Sequence, residues 1–229
     1  MRNMPDLITQ FFECDNPDCR LRFPGSKGHP KWKRCPICRS TIHTVATLPP
    51  SKEKDSFESC PKLQNVEAIL DNIRSAWNVG SIFRTADGMG VKMLHLCGIT
   101  PSPDNSKVSK TALGAEVHIP WERSNNGVLL ASQLKLNGYQ LWALEGMPGA
   151  QDLFQVTLES PHTPISLIVG NEVSGVDPGI IELSDKVISI PMMGKKQSYN
   201  VAVAFGIAVS FLLYRQIVSQ GSRMILPNT

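Results

Sequence analysis

No apolar segment of this chain reaches membrane-spanning length. The longest, Val201 to Tyr214, runs for 14 residues, against roughly 20 for a span, and reads as a buried core helix. No apolar stretch of signal-peptide type opens the chain. Gly-x-Gly-x-x-Gly and the Walker A loop are both missing, so no dinucleotide or P-loop chemistry is indicated. Internal repeats are absent, and the net charge is only +3, too small to argue for a nucleic-acid partner by itself. These absences lead to the expectation of a soluble, cytoplasmic protein of one large or two smaller domains, without a membrane partner.

What is present is unevenly spread. Residues 1–50 hold eight Lys/Arg against four acids, whereas the remainder is balanced. The same tract carries four of the six cysteines as Cys14-x4-Cys19 and Cys35-x2-Cys38, fifteen residues apart. Two cysteine pairs on tight turns supply the four soft ligands of tetrahedral zinc. Without a metal, so short a tract could hardly bury enough core to fold. A disulfide framework and a redox Cys-x-x-Cys are the alternatives; the first suits secretion, and the second leaves Cys14 and Cys19 without a role. The tract, residues 1–47, therefore resembles a structural zinc ribbon. His29 and His43 read as surface histidines, Cys97 as a small buried hydrophobe, and Cys60 has no assigned role. Arg20, Arg22, Lys27, Lys31, Lys33, Arg34 and Arg39 are interleaved with Phe23 and Trp32. Basic side chains neutralise phosphates while an exposed aromatic stacks on an unpaired base, which points to RNA or DNA; a mini-core of the ribbon is the structural use for one of the two aromatics.

Residues 48–60 contain little that can be buried and read as a linker. From residue 61 to 229, strand-like runs (Val66–Leu70, Lys92–Cys97, Gln140–Leu144, Ile165–Val169, Val187–Pro191) alternate with helical ones (Val79–Met89, Gly127–Leu136, Pro178–Leu183, Val201–Gln220). Such alternation predicts an α/β domain with a mostly parallel sheet covered on both faces.

Three clusters in this tract carry chemistry. In Asn72 to Asp87, Asn78 is placed to cap a helix bearing Arg84 almost two turns on, so that the two share roughly one face. Arg84 lies among Ile82, Phe83 and Ala86 and needs an anionic partner: a ligand, or a structural carboxylate such as Asp87 or Glu172. In Leu167 to Val176, an apolar strand ends at Gly170, where the missing side chain admits a ligand, and Glu172 stands at its mouth. In Ile190 to Ala204, a strand running to Met192 passes through Gly194 to Ser198 and Asn200, where an apolar helix begins. Either of the last two can be an N-cap, but the mouth between strand end and helix start is also where α/β proteins bind ligands.

In order, spacing and flanking residues the three clusters resemble the motifs of the SpoU (TrmH) family of RNA ribose 2′-O-methyltransferases, of the SPOUT class, from about Lys62 to Gln220. The resemblance implies a C-terminal trefoil knot in the α/β domain, with S-adenosylmethionine held in it largely by backbone groups. It also implies a homodimer with the site near its interface, and tRNA or rRNA as substrate. The family's functional positions fall on Asn78, Arg84, Glu172, Ser198 and Asn200, and its cofactor contacts on Leu144, Gly170, Ile190 and Tyr199. Position 199 is commonly leucine in the family, and a zinc ribbon is not its usual RNA-binding extension. The family assigns Arg84 to the hydroxyl proton. A guanidinium stays protonated, and a bidentate grip on the phosphate beside the target ribose suits it better. A non-catalytic RNA-binding scaffold and methylation of a base nitrogen are the competing readings.

Overall fold

Two short cysteine-bearing turns, built alike, close the smaller of two units. The computed structural model divides the chain into Met1–Ser59 and Cys60–Thr229 and describes residues 9–26, 33–48, 63, 65–158, 160 and 162–219. The proposed linker falls mostly outside the described residues, as do Lys27, His29, Lys31, Trp32 and Cys60. In the first unit, β1 (Thr9–Cys14) pairs antiparallel with β2 (Arg22–Ser26) and β3 (Ile42–Thr47), giving the order β2-β1-β3. In each turn a cysteine N–H bonds back across the hairpin, Cys14 to the Leu21 carbonyl and Cys35 to that of Ser40, both at 2.9 Å. The residue after each second cysteine is an arginine at positive φ, Arg20 at 45° and Arg39 at 65°. Phe23 packs on the buried Phe12 with ring centroids 5.8 Å apart, so Phe23 serves the mini-core.

The second unit runs β4 (Val66–Asp71), α1 (Ala76–Met89), β5 (Met93–Cys97), α2 (Ser106–Ala112), α3 (Ala115–His118), β6 (Trp121–Ser124), α4 (Gly127–Leu136), β7 (Gln140–Leu144), β8 (Gln151–Asp152), β9 (Ile165–Val169), α5 (Pro178–Leu183), β10 (Lys186–Ser189) and α6 (Val201–Ser219). Its strands form one parallel sheet in the order β6-β5-β4-β9-β7-β10-β8. Successive side chains leave a strand on opposite faces, and both faces here are apolar. Ala68, Leu70, Leu167 and Val169 join α1 and α6 in the larger core. Ile69, Ile168, Leu141 and Ala143 join α4 and α5 in a second one on the other face. Cys97 is fully buried in the second core, where burial pushes its thiol up to about 12.

The expected strands and helices are present with small shifts of boundary, and β6, β8, α2 and α3 are additions. The third strand-to-helix passage begins earlier than expected, because β10 ends at Ser189 rather than Met192. Helix α6 is longer than its uninterrupted apolar run. At 19 residues and a mean hydropathy of 1.9 it has the length and composition to cross a membrane. Six of its side chains, Phe205 and Leu212 among them, are buried in the larger core, while Val203, Tyr214 and Val218 are exposed.

Charge is buried at the amino ends of β4 and β5. Glu67 accepts hydrogen bonds from His95 at 2.8 Å and Lys92 at 2.7 Å, and also from the Tyr139 hydroxyl. His95 turns its other nitrogen to Glu122 at 2.8 Å. Burial alone would push the Glu67 carboxyl up, but the bonds from His95, Lys92 and Tyr139 outweigh it and hold the group at about 2. A carboxyl depressed by folding stabilises the protein above its unfolded value, 4.5, and that contribution is lost as pH falls through about 2. Glu67→Gln is therefore expected to cost about 3 kcal/mol at neutral pH, and the gap to wild type should close between pH 4.5 and 2. Urea unfolding across that range checks it; a gap independent of pH would show that the ionised network is not its source.

Candidate active site

The carboxyl ends of β7, β9 and β10 meet the start of α6 around a cavity of about 440 Å3, within the roughly 300–1,000 Å3 of small-molecule sites. Leu144, Gly170, Ile190 and Tyr199, the expected cofactor contacts, all line it, as do Glu172, Ser198 and Asn200. Gly170 is required by its surroundings, since a Cβ there would sit inside the backbone of Gly175 and Val176. Gly194 is exposed and a Cβ on it would meet nothing within 4 Å, so that glycine has no steric role at the mouth.

A chain of hydrogen bonds orders the polar residues. The Glu172 carboxylate accepts from the backbone N–H of Arg74 at 2.9 Å and of Ser75 at 3.0 Å, and from the Asn78 amide nitrogen at 2.8 Å. Partial burial pushes this carboxyl up, but the bonds from Arg74 and Asn78 outweigh it and leave it below the ordinary carboxylate range. With its nitrogen committed to a carboxylate, Asn78 must present its oxygen outward. That oxygen accepts from the Asn200 amide nitrogen at 3.0 Å. The Asn200 oxygen then caps α6, accepting from Ala202 N–H at 2.9 Å and Val203 N–H at 3.4 Å. One ionised group thus sets the direction of two amides, one on α1 and one at the start of α6.

Two sequence expectations change. Asn78 does not cap α1: Ser75 does, its hydroxyl accepting from the Asn78 N–H at 3.3 Å, which leaves the Asn78 side chain free for Glu172 and Asn200. Arg84 is not held in apolar surroundings. Ile82, Phe83 and Ala86 point into the core while Arg84 faces solvent on the opposite side of α1, outside the residues lining the cavity. Glu172 is engaged elsewhere and Asp87 faces His118 at 3.7 Å, so Arg84 forms no structural pair with a carboxylate among the described residues. Of the two cap candidates on α6, Asn200 is used and Ser198 stands at the cavity wall.

Three further residues shape the site without having been singled out. Asn171 closes a tight turn on Gly175, accepts from the Val173 and Ser174 N–H groups, and donates to the Asn72 carbonyl at 2.7 Å. An Asn four residues before a glycine at positive φ is a legible turn signal. Ser75, three before Asn78, has N-cap spacing. Glu145 carries no sequence signal; its carboxylate accepts from the Val176 N–H at 2.9 Å and ties the end of β7 to the turn after β9.

In the first unit the four cysteine sulfurs lie within 4.8 Å of one another. Cys14 and Cys38 are 3.3 Å apart and Cys19 and Cys35 are 3.8 Å apart. Tetrahedral zinc with Zn–S of about 2.3 Å separates its sulfurs by about 3.8 Å, so the set fits that ion closely. His43 stands apart, exposed, with Nδ1 2.6 Å from Asp15.

Residues 65–210 match the model of the SpoU rRNA methylase family, and the chain belongs to that family. It is 34% identical over 140 residues to a tRNA (guanosine(18)-2′-O)-methyltransferase of Aquifex aeolicus, covering 61% of this chain and 64% of the relative. It is 33% identical over 144 residues to a 23S rRNA (guanosine(2553)-2′-O)-methyltransferase of Bacillus subtilis, covering 63% and 56%. The chain thus spans less than two thirds of the length of these relatives. Among solved structures, the Aquifex aeolicus TrmH/SpoU tRNA modifying enzyme aligns with a TM-score of 0.63 at 30% identity, over 73% of this chain and 84% of that one. An AdoMet-bound rRNA methyltransferase from Sinorhizobium meliloti aligns at 0.60 and 27%, over 73% and 59%.

Proposed function

We propose that the Cys60–Thr229 unit methylates a ribose 2′-hydroxyl of tRNA or rRNA, using S-adenosylmethionine bound in the cavity at the carboxyl ends of β7, β9 and β10. The observation that carries this reading is the coincidence of two arrangements at one mouth. A ligand-sized cavity lined by Leu144, Gly170 and Ile190 adjoins the Glu172–Asn78–Asn200 chain, whose members are held by one another. Both relatives named above act on a guanosine ribose, which supports the ribose over a base nitrogen. The trefoil knot, formed around the 190–200 segment, is part of the same proposal.

Bound there, S-adenosylmethionine supplies an electrophilic methyl on sulfonium sulfur. Leu144, Gly170, Ile190 and Tyr199 would hold that group, which would give its methyl to the ribose 2′-oxygen and keep the C–S electron pair on sulfur. The protein's part is alignment and disposal of the hydroxyl proton. Asn78, Ser198 and Asn200 orient the ribose. Glu172 stays ionised and positions Asn78. Arg84, exposed and paired with no described carboxylate, clamps the phosphate beside the target ribose, and that phosphate or a water takes the proton. The unit works as a homodimer: the exposed apolar side chains of α6, Val203, Tyr214 and Val218, are the surface a second copy covers. The test is incubation of full-length protein with methyl-labelled S-adenosylmethionine and RNA, followed by nucleoside mass spectrometry. Label on ribose supports the proposal; label on a base, or on no tRNA or rRNA, ends it.

The first unit is a structural zinc ribbon whose exposed Arg20, Arg22, Lys33, Arg34 and Arg39 face RNA phosphates. Arg20 lies 3.9 Å from Glu13 at the surface, a pair worth little in water. Cys35→Ser, or a strong chelator, is expected to release the zinc and unfold the ribbon while the sheet of the second unit persists. Metal analysis together with amide NMR dispersion checks this. A ribbon that keeps its dispersion without metal would exclude a structural ion.

A further inference from the structure

Trp77 is the exception among the tryptophans the structure describes. Trp142 is fully buried and Trp121 packs against the larger core, whereas Trp77 is 56% exposed in the first turn of α1. An indole left in water gives up much of its burial free energy; the buried face of α1 is made by Ala76, Val79, Gly80 and Phe83, and Trp77 stands off it. Its setting is not an apolar patch. Arg74 and Arg84 are exposed on either side of it in sequence, neither paired with a described carboxylate, and the other near residues on this part of α1 are Ser75, Asn78 and Ser81.

Position and rigidity make the exposure useful. Trp77 directly precedes Asn78, the residue held by both Glu172 and Asn200. Arg84 lies seven residues on, which is two helical turns less about 20°, so ring and guanidinium leave the same side of α1 about 10 Å apart along its axis. The backbone under the ring is pinned by the Glu172 bonds to Arg74 and Ser75 and by the Ser75 cap. An aromatic face on a pinned backbone, flanked in sequence by two cations paired with no described carboxylate, suits a strand of unpaired nucleotides, in which bases offer π-faces and phosphates offer charge.

We propose that Trp77 is the stacking platform for an unpaired base of the RNA flanking the reacting ribose, and so helps select where along a strand the ribose is presented. The inference rests on the RNA-methylating reading above. Commitment to RNA rather than a protein partner rests on charge, since Arg84, paired with no described carboxylate, leaves the same side of α1 as the ring and offers a cation to a phosphate next to the stacked base.

The experiment compares full-length wild type with Trp77→Ala, Trp77→Leu and Trp77→Tyr, using unfractionated tRNA and protein-free rRNA as probes. Stacking on one base predicts that Trp77→Ala and Trp77→Leu raise the KM and Kd for RNA about 10-fold. Affinity for S-adenosylmethionine, thermal stability and sedimentation should not move, and Trp77→Tyr should recover most of the loss. Quenching of tryptophan fluorescence by RNA should shrink in every variant. Wild-type RNA affinity in Trp77→Leu overturns the stacking role, as does a change of oligomeric state or melting temperature in Trp77→Ala, which would make the ring a packing element. Those outcomes leave methyl transfer by wild type intact. If wild type neither binds nor methylates either RNA, the functional reading falls and the stacking role with it.

Discussion

Gly170→Ala is expected to weaken binding of S-adenosylmethionine at least about 10-fold while both units stay folded. The added methyl group would lie within the backbone of Gly175 and Val176, and backbone, unlike the end of a flexible side chain, cannot turn aside. Relief requires the 171–176 turn to move. That turn is fastened to Glu145 through the Val176 N–H and to Asn72 through Asn171, so the strain, typically about 1–3 kcal/mol for overpacking, is delivered to the cavity wall. The same displacement carries Glu172 away from Arg74, Ser75 and Asn78. A loss of at least about 10-fold in affinity follows from 1.4 kcal/mol of such strain, and calorimetry with circular dichroism measures it. Gly194→Ala is the control in the same mouth, with open space around its Cβ and no expected effect. Wild-type affinity in Gly170→Ala would show that the cofactor does not use this wall.

Arg84→Ala is expected to lower methyl transfer by about 100-fold, the equivalent of roughly 3 kcal/mol in the barrier, without loss of stability or of S-adenosylmethionine affinity. The stability half of this follows from exposure and from the absence of an ion pair among the described residues: removing a solvated cation leaves no buried described partner stranded. The activity half follows from the proposed clamp, because a bidentate guanidinium–phosphate pair is made with two parallel N–H donors. Arg84→Lys keeps the charge and loses the fork, so it should recover little. Single-turnover kinetics separates the step from binding. A lysine variant at wild-type rate would leave charge alone as the requirement, and an unstable alanine variant would return Arg84 to a structural role.

The relation between sequence and site differs from residue to residue. Leu144, Gly170, Ile190 and Tyr199 were placed by motif alone, and all four line one cavity. Asn78 was assigned a cap because an Asn ahead of an apolar helix is a good one; Ser75 competes for that place only three residues earlier, and nothing local decides between them. The Glu172 carboxylate decides it, by binding the N–H groups of Arg74 and Ser75. Arg84 looked enclosed because its sequence neighbours are apolar, yet on a helix such neighbours can face the core while the residue between them faces solvent. The edge strands β6 and β8 escaped notice because they are short and half-exposed, with little apolar pattern to read.

By itself the sequence determined the alternation of strands and helices, the four-cysteine cluster and the order of three motifs, since each depends on residues near one another along the chain. Only the tertiary structure decided how those motifs act together. Glu172 and Asn78 are 94 residues apart and Asn78 and Asn200 are 122 apart. Their amides acquire a fixed direction when the parallel sheet brings three carboxyl-end loops to one mouth. Hydrogen-bond direction depends on the position of the partner, and no local pattern carries that position.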